Sequence, residues 1–297
     1  MPKSAFVTIA GRTNAGKSSL LNALVGEKIA SVSNKPQTTR TRITGIKTIG
    51  DTQLVFMDTP GLHKPKNKLS AHMLNTVTES VVDIDLLLFM MDCTRQMTSQ
   101  EEAMLLDCKR RKRPVIVILN KIDLLEDKTR LAGMMVGIQS RFDPASIIPI
   151  SVTEQDGVDL VEQEVLSHAK ESPHFFPDEM FTDQPEKVIA AEMVREQLLR
   201  MLDDEVPHGI AVMTESMTER EEQDILDISV VIYCERESHK GIVIGKKGAM
   251  LKRVASAART SLEDFFRIRV NLQCWVKVKE DWRNREGLIH SFGLTED

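Results

Sequence analysis

Gly11-Arg12-Thr13-Asn14-Ala15-Gly16-Lys17-Ser18 has the spacing G-x-x-x-x-G-K-S, the phosphate-binding loop of nucleoside triphosphatases. Gly11 and Gly16 let the backbone close around phosphate with its N–H groups turned inward. Arg12, Thr13, Asn14 and Ala15 supply the amides between them. Lys17 has the length to reach the β- and γ-phosphates, and the Ser18 hydroxyl suits a magnesium ion. Ser18 and Ser19 open a helix whose positive N-terminal end faces the anion. Ala5–Ala10 reads as a buried strand before the loop and Lys17–Val25 as a helix after it. That setting separates the loop from a chance glycine turn.

Working outward, apolar runs recur at Leu54–Met57, Leu86–Met91, Val115–Leu119 and Ile147–Ile150, with a mixed run at Ile43–Ile49 suited to an edge strand. Polar, helix-compatible stretches separate most of them. This alternation predicts an α/β domain: a mainly parallel sheet with helices on both faces and ligand loops at the carboxyl ends of the strands.

Those strand ends carry the next motifs. Asp58-Thr59-Pro60-Gly61 follows Leu54–Met57. Asp58 can hold magnesium through a water, and Gly61 lets a backbone N–H approach the γ-phosphate. Thr59, Pro60 and Leu62 fill out that loop. Asn120-Lys121-Ile122-Asp123 follows Val115–Leu119 and has the N-K-x-D spacing of a guanine site. The Asp123 carboxylate can accept from guanine N1–H and the 2-amino group, a donor pair that adenine lacks. A site built on such bonds rejects a ligand without them by ~10⁴-fold or more. The Lys121 stem can lie over the base, and Asn120 can brace the phosphate loop. Ser151-Val152-Thr153 stands where a last loop would meet the base edge.

Lys35-Pro-Gln-Thr-Thr-Arg-Thr-Arg42 lies between the first helix and the Leu54 strand. A threonine there would complete the magnesium shell in the triphosphate state. Thr39 is the favoured residue and Thr38 the runner-up. Lys17, Thr39 and Gly61 are the expected catalytic set. In Ras-like GTPases a glutamine follows the D-x-x-G glycine and orients the attacking water. Here Leu62 can do neither, so slow intrinsic hydrolysis is expected. At ~3 × 10⁻⁴ s⁻¹ the barrier is roughly 22 kcal/mol, and a ~10⁵-fold activation would remove about 7 kcal/mol. A partner or a potassium ion held beside Asn14 could supply it.

Beyond Glu171 the alternation stops. Residues 172–185 hold three prolines and no helical period, which reads as a linker tacked down by Phe175, Phe176 and Phe181. The expected domains are therefore 1–170, a linker at 171–185, and 186–297. The last reads as helix Glu186–Asp204, strands Ile210–Met213 and Ile225–Tyr233, a strand-like run Ile242–Ile244, a helix to Phe265 and a strand Arg267–Lys279. A short helix before Gly245 is the alternative for part of that run. Ile242-Val243-Ile244-Gly245-Lys246-Lys247-Gly248 ends in the G-x-x-G of a KH module. Its glycines admit sugar-phosphate close to the backbone, and Ile242, Val243 and Ile244 could line a groove for unstacked bases. Lys246, Lys247, Lys252 and Arg253 add charge. Between Glu235 and Glu286 there are 13 Lys and Arg against 7 Asp and Glu, inside a chain of net −5. The positive charge is thus concentrated where RNA would sit. Trp275 reads as a core residue.

The chain has 297 residues, 41% hydrophobic and 28% charged, enough for two soluble cores. Its net charge excludes a protein that coats nucleic acid over its whole surface. Cys93, Cys108, Cys234 and Cys274 show no C-x-x-C spacing, so buried thiols in a reducing compartment are expected rather than zinc. Met1-Pro-Lys-Ser runs straight into a strand, so no signal peptide is expected.

Together these residues resemble the Era family of bacterial KH-domain GTPases, among the TrmE-Era-EngA-like GTPases. The resemblance rests on Gly11–Leu24, Gln37-Thr-Thr-Arg40, Asp58-Thr-Pro-Gly-Leu-His63, Asn120–Asp123, His239–Gly248 and Trp275–Arg283. That family includes members with a hydrophobic residue at the Leu62 position. Ser151-Val152-Thr153 departs slightly from its pattern. The resemblance implies an α/β P-loop GTPase domain followed by a smaller α+β type II KH domain. It implies GTP or GDP with magnesium, binding of the 3′ end of 16S ribosomal RNA, and a role in 30S subunit assembly. It also implies a cytoplasmic monomer with some peripheral contact with the cell membrane. Two other readings compete: a constitutive RNA-binding module with structural nucleotide, and a membrane-surface signalling GTPase.

Overall fold

The computed structural model describes residues 1–35, 38–62, 67–79, 84–203 and 206–294. The chain divides into two compact units. The first comprises Met1–Ile29, Thr39–Lys64 and Met73–Asp183; the second comprises Ala30–Thr38, Pro65–His72 and Gln184–Asp297.

The first unit is built on a sheet whose central strands are apolar on both sides, because helices cover both faces. Its elements run β1 (Lys3–Gly11), α1 (Lys17–Val25), β2 (Ile43–Ile49), β3 (Thr52–Asp58), α2 (Lys68–Glu79, begun in the second unit), β4 (Leu86–Asp92) and α3 (Ser99–Arg110). They continue β5 (Val115–Asn120), α4 (Thr129–Phe142), β6 (Ser146–Ile150), α5 (Val158–Ser167) and β7 (Lys170–Glu171). The strand order is β2-β3-β1-β4-β5-β6, with β7 also paired to β1. The edge strand β2 and the short β7 are antiparallel to their partners; the rest are parallel. The mainly parallel sheet read from the sequence is present. Chain order reverses on either side of β1, so a crevice opens at its carboxyl end, where ligands bind in such sheets. Phe89, Met91, Val117 and Leu119 pack with Leu105, Ile138 and Phe142 on one face. Thr98 and Glu101 form a reciprocal capping box that starts α3.

Residues 172–183 belong to this first unit. The Phe175 ring meets Phe6 edge-on at 4.9 Å. Gln53, fully buried, accepts from the Phe175 and Phe176 amides at 2.8 and 3.0 Å and donates to the Phe176 carbonyl at 2.9 Å. Ile46 N–H donates to the Phe181 carbonyl at 2.9 Å.

The second unit contains α6 (Glu186–Met201), β8 (Ile210–Arg220), β9 (Ile225–Cys234), α7 (Glu237–Ile244), α8 (Ala249–Phe266), β10 (Arg269–Val278) and α9 (Glu286–Ser291). The sheet order is β10-β9-β8, with β8–β9 antiparallel and β9–β10 parallel. Ile228, Val230 and Ile232 meet Ala190, Val194, Val254, Ala258 and Leu262 in one core.

Two readings are decided here. Ile242–Ile244 is the last turn of α7, so the short helix before Gly245, the alternative, replaces the strand-like run. A three-residue apolar run cannot tell strand from helix by period, and the parallel β9–β10 pair needs a helical crossover. Trp275 is not core: it is 57% exposed, while Trp282 is fully buried and donates its Nε1–H to the Gly209 carbonyl at 2.9 Å.

Candidate active site and nucleic-acid interface

The phosphate loop joins the carboxyl end of β1 to the amino end of α1. Gly11 and Gly16 have φ of 148° and 103°. A Cβ on Gly11 would stand 2.2 Å from the Met90 carbonyl oxygen, and one on Gly16 2.3 Å from Asn120 Nδ2. Neither position admits a side chain. Asn14 also takes a positive φ of 61°. Lys17 is 6% exposed and donates to the Arg12 carbonyl at 3.2 Å. Ser19 follows Ser18 in the first turn of α1.

Three oxygens converge beside the loop. Ser18 Oγ donates to Asp58 Oδ2 at 2.6 Å and stands 2.8 Å from Thr39 Oγ1, which itself donates to Asp58 Oδ2 at 3.2 Å. Asp58 is fully buried, and among the described residues its Oδ1 has no hydrogen-bond partner. An all-oxygen set with one orphaned carboxylate oxygen fits a hard divalent cation. Ser18, Thr39 and Asp58 are the residues that would hold magnesium. Burial pushes the Asp58 carboxyl up from its ordinary value against the pull of Lys17, Ser18 and Thr39. Burial likewise pushes the Lys17 ammonium down against the pull of Asp58. Buried charges need partners; a cation beside Asp58 and an anion beside Lys17 would supply them.

Thr38, the alternative ligand, faces elsewhere: its hydroxyl donates to the Lys35 carbonyl at 2.7 Å and meets Ser33 Oγ at 2.8 Å. Thr59 is buried, with its hydroxyl on the Ile9 carbonyl at 3.0 Å. Pro60 is buried beside it. Gly61 lies so close to Thr13 that an added Cβ would meet the Thr13 backbone at 2.7 Å. Leu62 pairs with Arg12, and its N–H donates to the Gly11 carbonyl at 3.0 Å. Gln37 and His63 lie outside the described residues.

The base end is assembled from β5 and the loop after β6. Asn120 Nδ2 donates to the Ala15 carbonyl at 2.8 Å, and its Oδ1 accepts from Val152 N–H at 3.2 Å. Asn120 thus ties the phosphate loop to the last loop. Ser151 is buried and exchanges backbone bonds with Asp156 at 3.0 Å. Asp123 is exposed. Lys121 takes φ 72° and pairs with Asp92 at 2.7 Å. Asp92 escaped the sequence reading; the signal was a carboxylate at the end of an apolar strand. The Lys121 and Thr94 hydrogen bonds hold its carboxyl below the usual range, although burial opposes them.

In the second unit α7 ends at Gly245, and α8 begins after Gly248. A Cβ on Gly245 would sit 2.7 Å from Met250 Cβ. Lys247 and Gly248 have φ of 52° and 80°. Lys246, Lys247, Lys252 and Arg253 are exposed, at the helix end that favours anions. Ile242 is 49% exposed and Ile244 half-buried. Val243 is corrected: it is fully buried in the core, because it lies on the inner face of α7. It cannot line a groove for bases.

Residues 6–121 match the model of the 50S ribosome-binding GTPase family, and residues 205–283 match the KH domain. The chain is therefore a P-loop GTPase carrying a KH module. The GTPase Era of Ruminiclostridium cellulolyticum is 48% identical, over 98% of this chain and 97% of its own length. That of Clostridioides difficile is 45% identical over the whole of both. An Aquifex aeolicus Era variant bound to GDP·AlF4⁻ superimposes with a TM-score of 0.95 at 35% identity, covering 99% of this chain and 100% of that one. Era in complex with MgGDPNP and nucleotides 1506–1542 of 16S ribosomal RNA gives the same score and identity over the full length of both. The chain belongs to the Era family of GTPases.

Proposed function

We propose that this GTPase is a switch that binds the 3′ end of 16S ribosomal RNA and acts in assembly of the 30S subunit. One observation carries the reading. Both units, in order and end to end, match a structure that holds Mg-nucleotide and that RNA segment at a TM-score of 0.95. The exposed lysines of the G-x-x-G loop support it from this chain's own surface.

Hydrolysis is phosphoryl transfer from GTP to water. Backbone amides of Thr13–Ser18 and the Lys17 ammonium cradle the phosphates and receive the charge that moves to them. Magnesium, when bound, neutralises charge on the β- and γ-phosphate oxygens. Gly61 brings backbone close to the γ-phosphate. Asp123 selects guanine, and Asn120 keeps the base and phosphate ends in register. Leu62 has no proton-accepting group and its N–H is already donated to Gly11, so no side chain among the described residues is nominated as general base and slow turnover is expected.

RNA affinity measured with GDP and with a non-hydrolysable GTP analogue tests the switch. At least a several-fold difference is expected. Equal affinity would favour the constitutive RNA-binding reading, to which Leu62 lends weight. We also propose that potassium beside Asn14 accelerates turnover; equal rates in KCl and NaCl would remove that idea. Among the described residues no helix is long and apolar enough to cross a membrane. From the family likeness we also propose a cytoplasmic monomer whose membrane contact is peripheral, checked by sedimentation with anionic vesicles.

A further inference from the structure

Within the first unit, α4 and the loop that follows β4 enclose a cavity of about 310 Å³. That is the small end of the range for ligand pockets, with room for one or two large apolar side chains. Met91, Ile138 and Phe142, all buried, form its floor. Met97 stands on the loop wall and Met134 on the α4 wall, both half-buried. Thioether side chains adapt their shape to what lies against them. Neither the nucleotide chemistry nor the G-x-x-G loop uses any of these residues.

The loop wall is already ordered. Cys93 N–H donates to the Asn120 carbonyl at 3.1 Å, and Asp92 Oδ1 accepts from the Thr94 N–H at 3.0 Å. The capping box of Thr98 and Glu101 closes its far end. A preformed surface loses little entropy when it is occupied.

Gly137 lines the groove from the middle of α4. Glycine in a helix interior is destabilising relative to alanine. Among the described residues nothing requires it, since a Cβ on Gly137 would meet no atom within 4 Å. Bare backbone beside an open cavity lets another segment lie close.

The mouth is basic. Arg95, Arg130 and Arg141 line it, all exposed, and no Asp or Glu does. The chain as a whole carries −5, so the sign is reversed locally. Two of the three have carboxylates nearby: Arg95 lies 3.6 Å from Asp92, and Arg141 pairs with Glu102. Both arginines are more than half exposed, and pairs of that kind contribute little. A second copy of the chain fits badly, because a symmetric contact would set these arginines against themselves. Nucleic acid fits badly too. Phe142, the one aromatic in the lining, is buried and offers no face for a base to stack on.

We infer that this groove docks a short acidic, amphipathic segment of a partner protein, with its apolar side chains seated between Met97 and Met134 and its carboxylates on Arg95, Arg130 and Arg141.

The test pans a phage-displayed library of random dodecapeptides against the full chain loaded with GDP. Enriched peptides are expected to carry Leu, Met or Phe beside Asp or Glu. Gly137→Trp fills the groove and should weaken their binding by ~10-fold or more, with GDP affinity unchanged. Arg130→Glu should weaken binding several-fold, more at low salt than at high. Exchanging the peptide carboxylates for lysine should restore binding to that variant.

Enrichment of basic or uncharged peptides overturns the inference, as does a set that binds Gly137→Trp as tightly as the parent chain. No enrichment over a blank matrix has the same force. Displacement of the enriched peptides by oligo(U) gives the groove to nucleic acid. A concentration-dependent dimer that Gly137→Trp abolishes gives it to a second copy. Either result also overturns the inference. Should Gly137→Trp not fold, Gly137→Gln narrows the groove with a good helix former; the same direction of loss is expected, and undiminished binding overturns the inference.

Discussion

Lys17 and Lys246 each follow a glycine in a loop that opens toward a helix, yet they work in opposite media. Lys17 is 6% exposed, beside a fully buried Asp58 and held to the Arg12 carbonyl. Lys246 and its neighbour Lys247 are open to water. In the first loop little solvent screens the charges, so each donor acts strongly and only at the right geometry. In the second, charge is screened by salt and contributes by number rather than by exact placement. The nucleotide end should therefore be brittle and the RNA end graded.

The largest expected effect concerns base choice. Asp123→Ala removes the acceptor pair for guanine, so the preference for GTP over ATP should collapse by ~10⁴-fold. Competition binding of labelled GDP against ADP checks it; a retained preference would show that the base is read elsewhere. Next, Lys17→Met should slow single-turnover hydrolysis by about 10³-fold, as loss of one transition-state donor does. RNA binding of the GDP form should survive.

At the graded end, Lys246→Glu with Lys247→Glu should weaken RNA capture by about 10- to 100-fold. It should also flatten the log–log salt dependence by roughly 1.4, at ~0.7 per lost contact with a single strand. GTP turnover without RNA should be unchanged. An equal loss of turnover would erase the contrast between the two loops.

The smallest effect is a pH response outside both loops. His174 Nδ1 bonds Asp178 at 2.6 Å and its Nε2 lies 3.0 Å from the Asp51 carbonyl. The Asp178 hydrogen bond, then the Asp51 one, raise its pKa above 6.5. A raised histidine stabilises fully below its unfolded value and loses that contribution as pH rises through the folded one. Amide exchange over 172–180 should therefore quicken, beyond the intrinsic trend, as pH climbs above 6.5. His174→Ala should abolish the step.

Much of this was legible because short motifs carry their own geometry. The glycines of Gly11–Ser18 demand a backbone that few other residues accept, and short apolar runs alternating with helix-compatible stretches fit the strands of an α/β sheet. Residues whose role depends on distant neighbours were not legible. Gln53 looks like an ordinary strand glutamine, yet it holds Phe175 and Phe176. Ile242–Ile244 was ambiguous until β9 and β10 were seen to be parallel, which turned Val243 from a groove residue into core. Trp275 is exposed and Trp282 buried for the same reason: burial belongs to the packing around a side chain, not to the side chain.

The sequence by itself determined the ligand chemistry: phosphate from G-x-x-x-x-G-K-S, guanine from N-K-x-D, and a basic G-x-x-G loop. Backbone conformation and donor type are properties of a few adjacent residues. Only the tertiary structure decided that Thr39 rather than Thr38 meets Asp58. That outcome depends on how a loop and a strand end 19 residues apart in sequence come together once the sheet has formed, and no local pattern encodes that.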